Sequence, residues 1–272
     1  MTATLWPIAL ITFKEGIRNR ALYGITLFAL LLFGATALVA TMIPREVGKV
    51  TIDMALSTIS FSGLLIVLFV GINLMAKDLD KRTIYMVLSR PISRSQYIVG
   101  KYAGMLLIIA ATMGILSLLA LGSIAVLKIM IADYFVRFSW SLILLSVMLI
   151  ILMLMLLSAI SFLFSSFTSS SFITLVLTII TYIIGQSLNG VKALVESPVQ
   201  EIGFVVSPMT VKLVKIAYYI FPNLSLFDIK LQAAHALAVS ASFVVWTIVY
   251  GIVYITISIT LAALIFRKKE FP

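Results

Sequence analysis

The chain contains no cysteine and one histidine, His235. The first absence excludes disulfides, thiolate metal sites and cysteine nucleophiles. The second leaves nothing from which to build a multi-histidine metal site. Charge is also scarce: 11% of residues are charged, against about a quarter in a soluble domain. What fills the space is apolar. Hydrophobic residues make up 62% of the 272 positions, and the mean hydropathy is +1.19. Such a composition belongs to a bilayer, so the length is better counted in membrane spans than in soluble domains. The net charge of +10 is the one strong imbalance. Its basic residues flank apolar segments and form no separate tract, which suits membrane topology and gives no reason to expect nucleic acid as a partner.

A helix needs roughly 20 apolar residues to cross the hydrocarbon core at about 1.5 Å per residue. Six segments meet or approach that length: Ala21–Ile43, Met54–Ala76, Tyr102–Leu127, Phe138–Phe164, Phe172–Leu188 and Ala241–Phe266. Runs this long satisfy their backbone groups in lipid as helices. The expected fold is therefore an all-α polytopic membrane protein with six transmembrane helices, forming one transmembrane domain over 1–272. The first span should be retained, since Lys14, Glu15, Arg18 and Arg20 precede it with no cleavage pattern.

Lysine and arginine set the orientation. Lys14, Arg18 and Arg20 precede the first span, Lys77, Lys81, Arg82, Arg90, Arg94 and Lys101 join the second to the third, and Arg267, Lys268 and Lys269 follow the last. These clusters alternate with sparsely basic connections, so both termini are expected in the cytoplasm. Residues 5–20 carry a stripe of Trp6, Leu10, Phe13 and Ile17, with Lys14 and Arg18 on another face. That pattern fits either a helix lying in the interface beside anionic headgroups or a simple basic anchor. The longest connection, 189–240, then lies outside the cytoplasm. Within it Ser207 and Pro208 resemble a helix start, and Lys212 and Lys215 share a face opposite Val211, Val214 and Tyr218. Whether 203–221 lies on the membrane surface or re-enters it stays open.

No Asp, Glu, Lys, Arg or His falls inside the six segments. Ion-driven transporters place such groups at depth, and intramembrane hydrolysis needs them to activate water. The polar residues present are mild: Ser57, Thr58, Ser60, Ser62, Asn73, Thr174, Thr178 and Thr181. Small hydroxyl residues of this kind favour close helix packing. Met153 and Met155 lie on different helix faces and read as filler, not as a copper site. Nor does the chain hold a nucleotide site. The best approach to a P-loop, "SRSQYIVGKYAG", has Ser95 in place of the first glycine and Tyr102 in place of the hydroxyl residue.

One connection concentrates what charge there is. "DLDKRTIYMVLSRPISRSQYIVGKYAG", Asp78–Gly104, carries Asp78, Asp80, Lys81, Arg82, Arg90, Arg94 and Lys101. The helix leaving span two must stop near Arg90, because Pro91 disfavours the helical conformation before it. Ser93 and Gln96 then form an S-x-x-Q capping box that starts the next helix. A helix–turn–helix elbow results, with Arg82, Arg90 and Arg94 expected at its tip.

These residues resemble the first cytoplasmic loop of ABC-2-type permeases, the membrane subunits of ABC exporters. That loop reads acidic–x–x–T, then L-L-S-x-P-[IL]-x-R, then G-K, and Asp80, Thr83, Leu88, Ser89, Pro91, Arg94, Gly100 and Lys101 fall on it. "KEGIRNR" before the first span and "YYIFPNLSLFDIK" late in the external connection are similar to further stretches of the family. Within it, the likeness runs toward members serving nitrous oxide reductase maturation. The resemblance implies a permease that docks on two copies of a separate ABC ATPase subunit through a coupling loop at 78–101. Contacts would come from Asp80, Arg82, Thr83, Arg90, Pro91 and Arg94, with the serine-rich turn Phe164–Phe172 as a second contact. It further implies a second permease copy, with a homodimer as the expected form, in a bacterial or archaeal inner membrane. No catalytic residue or cofactor is expected in this chain, since ATP and Mg would bind the ATPase. The alternative is a membrane assembly or scaffold protein that recruits a cytoplasmic partner without moving a solute. The transported substrate stays open among lipid-like molecules, peptides, polysaccharide precursors, drugs and small sulfur or metal species.

Overall fold

The computed structural model describes residues 2–42, 46–74, 93–132, 135, 137–168, 170–196 and 208–268. Within them the long apolar runs are all helical, and no strand occurs. Chain order gives α1 (Thr2–Ile17), α2 (Arg20–Met42) and α3 (Val47–Ile66), the last continuing through a π-helical turn at Val67–Gly71 to Leu74. Next come α4 (Arg94–Met130), α5 (Trp140–Phe167), α6 (Ser171–Glu196) and α7 (Pro208–Ile220). A 3-10 turn at Leu224–Phe227, a short α8 (Lys230–His235) and α9 (Ala241–Lys268) complete the described chain. Five helices are long and apolar enough to cross a membrane: Val47–Leu74, α4, α5, Ser171–Ala193 and α9. Leu5–Ile17 and Arg20–Thr36, bent by 58° at their junction, pass the same test only together, so the described residues hold five candidate spans, or six with that pair counted as one. The all-α polytopic reading holds, while the first span expected over Ala21–Ile43 is represented only within that bent pair.

The helices overrun the apolar limits read from the sequence, because a helix continues until its capping chemistry stops it. α4 starts at Arg94, ahead of the apolar run at Tyr102 and where the capping box predicts, since Ser93 is extended (φ −72°, ψ 148°) and caps it. The Gln96 amide donates to Ser93 Oγ at 3.3 Å, and the Ser93 amide donates to Gln96 Oε1 at 3.1 Å. Both bonds of the expected capping box are present. At 37 residues the helix is about 55 Å long, well beyond the roughly 30 Å of hydrocarbon. Its far end carries Lys128, whose ammonium lies 3.9 Å from the Phe138 ring centroid, a cation near the negative helix terminus.

α3 is the most buried helix, and α6 and α9 are the most exposed of the spans. α3 packs against α2, α4, α5 and α8, which puts it at the centre of the bundle. Several hydroxyls here and on neighbouring helices are satisfied locally, while those of Thr51, Ser62, Ser117, Ser146 and Ser165 are buried without a hydrogen-bond partner among the described residues. Thr58, Thr112, Thr178 and Thr181 each donate to the carbonyl four residues back, which spares them an unpaired donor in an apolar interior. Thr58, Ser60, Ser62, Thr174, Thr178 and Thr181 are buried in helix packing, as their size predicts. Near its end, α3 takes one extra residue into a turn. The Ile72 backbone amide reaches back to Val67 O, and the Asn73 side-chain Nδ2 donates to Phe69 O. A π turn leaves a carbonyl that the regular ladder would use, and Asn73 supplies the donor.

The connection after α6 is only partly a loop. α6 runs on to Glu196, and α7 packs on it, with Lys192 held 4.7 Å from the Tyr218 ring centroid. Lys212 and Lys215 are exposed on α7, while Val211, Val214 and Tyr218 are half-buried, matching the expected faces. Beyond α7 the chain turns inward. Pro222, Asn223, Leu224, Phe227 and Ile229 are buried, and α8 packs against α3 and α5. Asn223 is the hub. Its amide donates to Tyr250 Oη (2.9 Å), its side chain donates to Asn189 Oδ1 (2.7 Å), and it accepts from Ser225 Oγ (2.7 Å). Gly185 on α6 gives this segment room, since a Cβ there would lie 2.7 Å from Pro222 O and from Leu224 Cγ.

Candidate functional site

The chain's polar chemistry collects at one end of the bundle, where α1, α2, the last turn of α3, the start of α4 and the end of α9 converge. Two glycines in the sequence make this possible. Gly100 and Gly104 lie one turn apart on α4, the small-xxx-small spacing that lets helix backbones approach. α1 fills the space they leave. A Cβ on Gly104 would sit 2.5 Å from Thr12 Cβ and 2.7 Å from Ala9 O, and one on Gly100 would sit 2.8 Å from Ile8 Cγ2. The face that α1 buries is therefore Ala9, Thr12 and Gly16. Large residues at its edge stay outward: Trp6 is 60% exposed and Ile11 65%. Close helix approach, more than the stripe of large apolar residues, decides which face docks. Gly104→Leu is expected to push α1 off α4, because the obstructing Ala9 oxygen is backbone and cannot swing away. A destabilisation of about 3 kcal/mol, the upper part of the range for overpacking, would appear as a large loss of thermal stability in detergent. Gly104→Ala should show a smaller loss of the same sign.

Lys101 lies between the two glycines and is 6% exposed. Its ammonium donates to Leu74 O at 3.0 Å, lies 3.6 Å from Glu15 Oε2, and sits 5.8 Å from the Tyr97 ring centroid. One buried cation thus links α1, the end of α3 and the start of α4. Leu74 and Ser93 are the described residues that flank segment 75–92, so Lys101 holds the two stems of that connection together. A buried charge requires such pairing, since desolvation of an unpaired ammonium costs several kcal/mol.

The same end is closed on its other side by α9. Tyr97 stacks on Phe266 at 6.1 Å and 21°, with both rings buried. The Arg94 guanidinium donates to Arg267 O at 3.4 Å, at the negative terminus of α9. Arg94 is thus half-buried at the stem of the connection. Asp80, Arg82, Thr83, Arg90 and Pro91, the other expected contact residues, lie outside the described residues. The serine-rich turn between α5 and α6 is locally tied by Thr168 and Thr174, whose hydroxyls are 2.7 Å apart, and it leaves Phe167 and Phe172 exposed.

Sequence reasoning placed Lys101 in the loop motif but missed its burial and its partner Glu15. The spacing Gly100–Lys101–Gly104 was the available signal, because small residues flanking a lysine mark a place where another helix can cover it. The arrangement pairs cations with carbonyls and one carboxylate and places no nucleophile beside a base. Its chemistry is mechanical: it fixes four helix ends relative to one another.

No curated protein matches the chain. The family model described as ABC-2 family transporter protein matches residues 6–271, and so takes in α1 with its Glu15, the Lys101 junction and α9. The chain belongs to the ABC-2 family of transporter proteins, and is a membrane permease component of an ABC transporter.

Proposed function

We propose that this permease works as an exporter subunit and receives the stroke of a separate ABC ATPase through its 78–101 connection. Family membership implies an ATPase partner. The observation that favours this entry point is the Lys101 junction, which joins both stems of the connection to α1 and α3. A push on 75–92 would reach the most buried helix of the bundle directly, since Leu74 ends α3. The apolar runs of the spans carry no ionisable group, and the buried Lys101 at the head of α4 is already paired with Glu15, which favours an energy source outside the membrane domain. Two ATPase copies, a homodimer of this chain, an inner-membrane location and cytoplasmic termini complete the reading, with Asp80, Arg82, Thr83, Arg90, Pro91 and Arg94 as contacts. The motif likeness to members serving nitrous oxide reductase maturation makes a small sulfur or metal species the first cargo to assay.

The test is affinity purification of the tagged chain from native membranes in mild detergent, with ATP hydrolysis assayed on the eluate. A stoichiometric ATPase with vanadate-sensitive turnover is expected. Arg90→Glu with Arg94→Glu should insert normally and lose the ATPase or its stimulated turnover. A variant that keeps both would overturn this route of coupling, and a wild-type eluate with no ATPase would favour the scaffold reading.

A further inference from the structure

A cavity of about 560 Å³ opens beside the Lys101 junction, lined by Ile11, Lys14, Glu15, Arg18, Asn19, Asn73 and Leu74. Its charge is one-sided. Glu15 is engaged by Lys101, whereas Lys14 and Arg18 have no ion-pair partner among the described residues. These two cations are one helical turn apart, so they face the same space and repel each other. An anion between them would relieve that repulsion. Asn19 and Asn73 add hydrogen-bonding groups from the α1–α2 bend and from the end of α3.

The position of the cavity identifies the anion. The apolar run of α2 begins at Ala21, just past Arg18, and that of α3 ends beside Asn73. Two span ends therefore meet at the lining, which puts it at the boundary between hydrocarbon and headgroups. One wall is apolar, Ile11 and Leu74, and α1 continues outward from it with Trp6 exposed. Polar floor and apolar wall together match a molecule that is charged at one end and greasy at the other.

We infer that this cavity binds the phosphate headgroup of an anionic phospholipid between Lys14 and Arg18, with its acyl chains along the outer face of α1. The inference rests on the chain being membrane-embedded with α1 at the membrane surface, and is independent of ATPase coupling. The bound lipid bridges α1 to the last turn of α3, next to the Leu74 carbonyl that Lys101 holds.

The experiment is native mass spectrometry of the purified full chain after equilibration in vesicles of phosphatidylglycerol and phosphatidylcholine. The wild type should retain the anionic lipid with about thirty-fold preference, as expected for two basic residues at roughly fivefold each. Lys14→Gln with Arg18→Gln should abolish the preference. Lys212→Gln with Lys215→Gln, which removes the same charge from α7, should leave it intact. Ile11→Trp, at an exposed position on the apolar wall, should reduce retention at least fivefold with no change in charge, and it also serves if the double-glutamine variant does not fold. Soluble glycerol phosphate in millimolar excess should fail to displace the lipid. Equal retention of both lipids overturns the inference. So does unaltered retention of the anionic lipid in Ile11→Trp, which would mean diffuse surface attraction, or displacement by glycerol phosphate, which would mean a soluble phosphate site.

Discussion

Lys101→Met should cost about 3 kcal/mol of stability and separate ATP hydrolysis from transport in the assembled transporter. The buried ammonium joins Glu15 on α1 to Leu74 at the end of α3. Methionine matches its length and apolar stem, so the loss reports the charge and not a cavity. Breaking a buried pair by removing one partner costs roughly 3–5 kcal/mol. The lower end applies here, because the Glu15 side chain is 34% exposed and water can solvate its carboxylate. A double-mutant cycle sharpens the test. Glu15→Gln alone leaves the ammonium in place, and Glu15→Gln with Lys101→Met removes both members, so the double variant should be more stable than the sum of the single losses predicts. Thermal unfolding in detergent reads the stability, and cargo moved per ATP hydrolysed reads the coupling. Additive losses with normal coupling would reduce Lys101 to an ordinary buried residue.

Phe227→Ala is expected to be the most destabilising change at the end of the bundle away from Lys101, by about 3–4 kcal/mol. Phe227 is fully buried in the 3-10 turn that the chain folds back into the bundle. It lies 6.3 Å from Tyr250, and a Cβ on Gly251 would come within 3.1 Å of its ring. Its neighbours are held by Asn223 and by Tyr254, which donates to Ile220 O. Removing the ring leaves a void that these bonded neighbours cannot collapse into. Phe227→Leu should recover most of the loss, and Asn223→Leu should cost less, about 2 kcal/mol, for the two side-chain bonds it breaks. Thermal unfolding with the three variants side by side checks the order. An alanine variant as stable as the leucine one would mean that the inward segment is not packed as described.

The spans and the capping box were legible because both depend on local chemistry. Uncharged apolar runs must be helical in lipid, and Ser93 with Gln96 satisfies helix-start donors through neighbours three residues apart. Helix ends were less so. Hydropathy marks where apolar residues stop, whereas α4, whose start the capping box marked, runs on past Leu127 to Met130. Lys101 and Asn223 were read as loop residues because composition treats a lysine or an asparagine as solvated. Their partners, Glu15, Leu74, Asn189 and Tyr250, are far away in sequence, and no period or spacing encodes such pairings. The threonines read as packing groups satisfy themselves on their own helices, as Thr58, Thr178 and Thr181 do, whereas Ser62 is buried without a hydrogen-bond partner among the described residues. Segment 75–92 carries most of the family motif and lies outside the described residues; its contact role rests on the motif.

The absence of cysteine offers the most direct test of the central claim, that the end of the bundle around Lys101 is where the ATPase docks. Ser95→Cys, on the half-exposed first turn of α4, and Leu237→Cys, exposed beyond α8, each introduce one unique thiol. Each is treated in native membranes with a short bifunctional cross-linker, and the adducts are identified by mass spectrometry. The account predicts that Ser95→Cys captures an ABC ATPase subunit and that Leu237→Cys does not. Capture of the ATPase from Leu237, or none from Ser95 when the two chains co-purify, would contradict it.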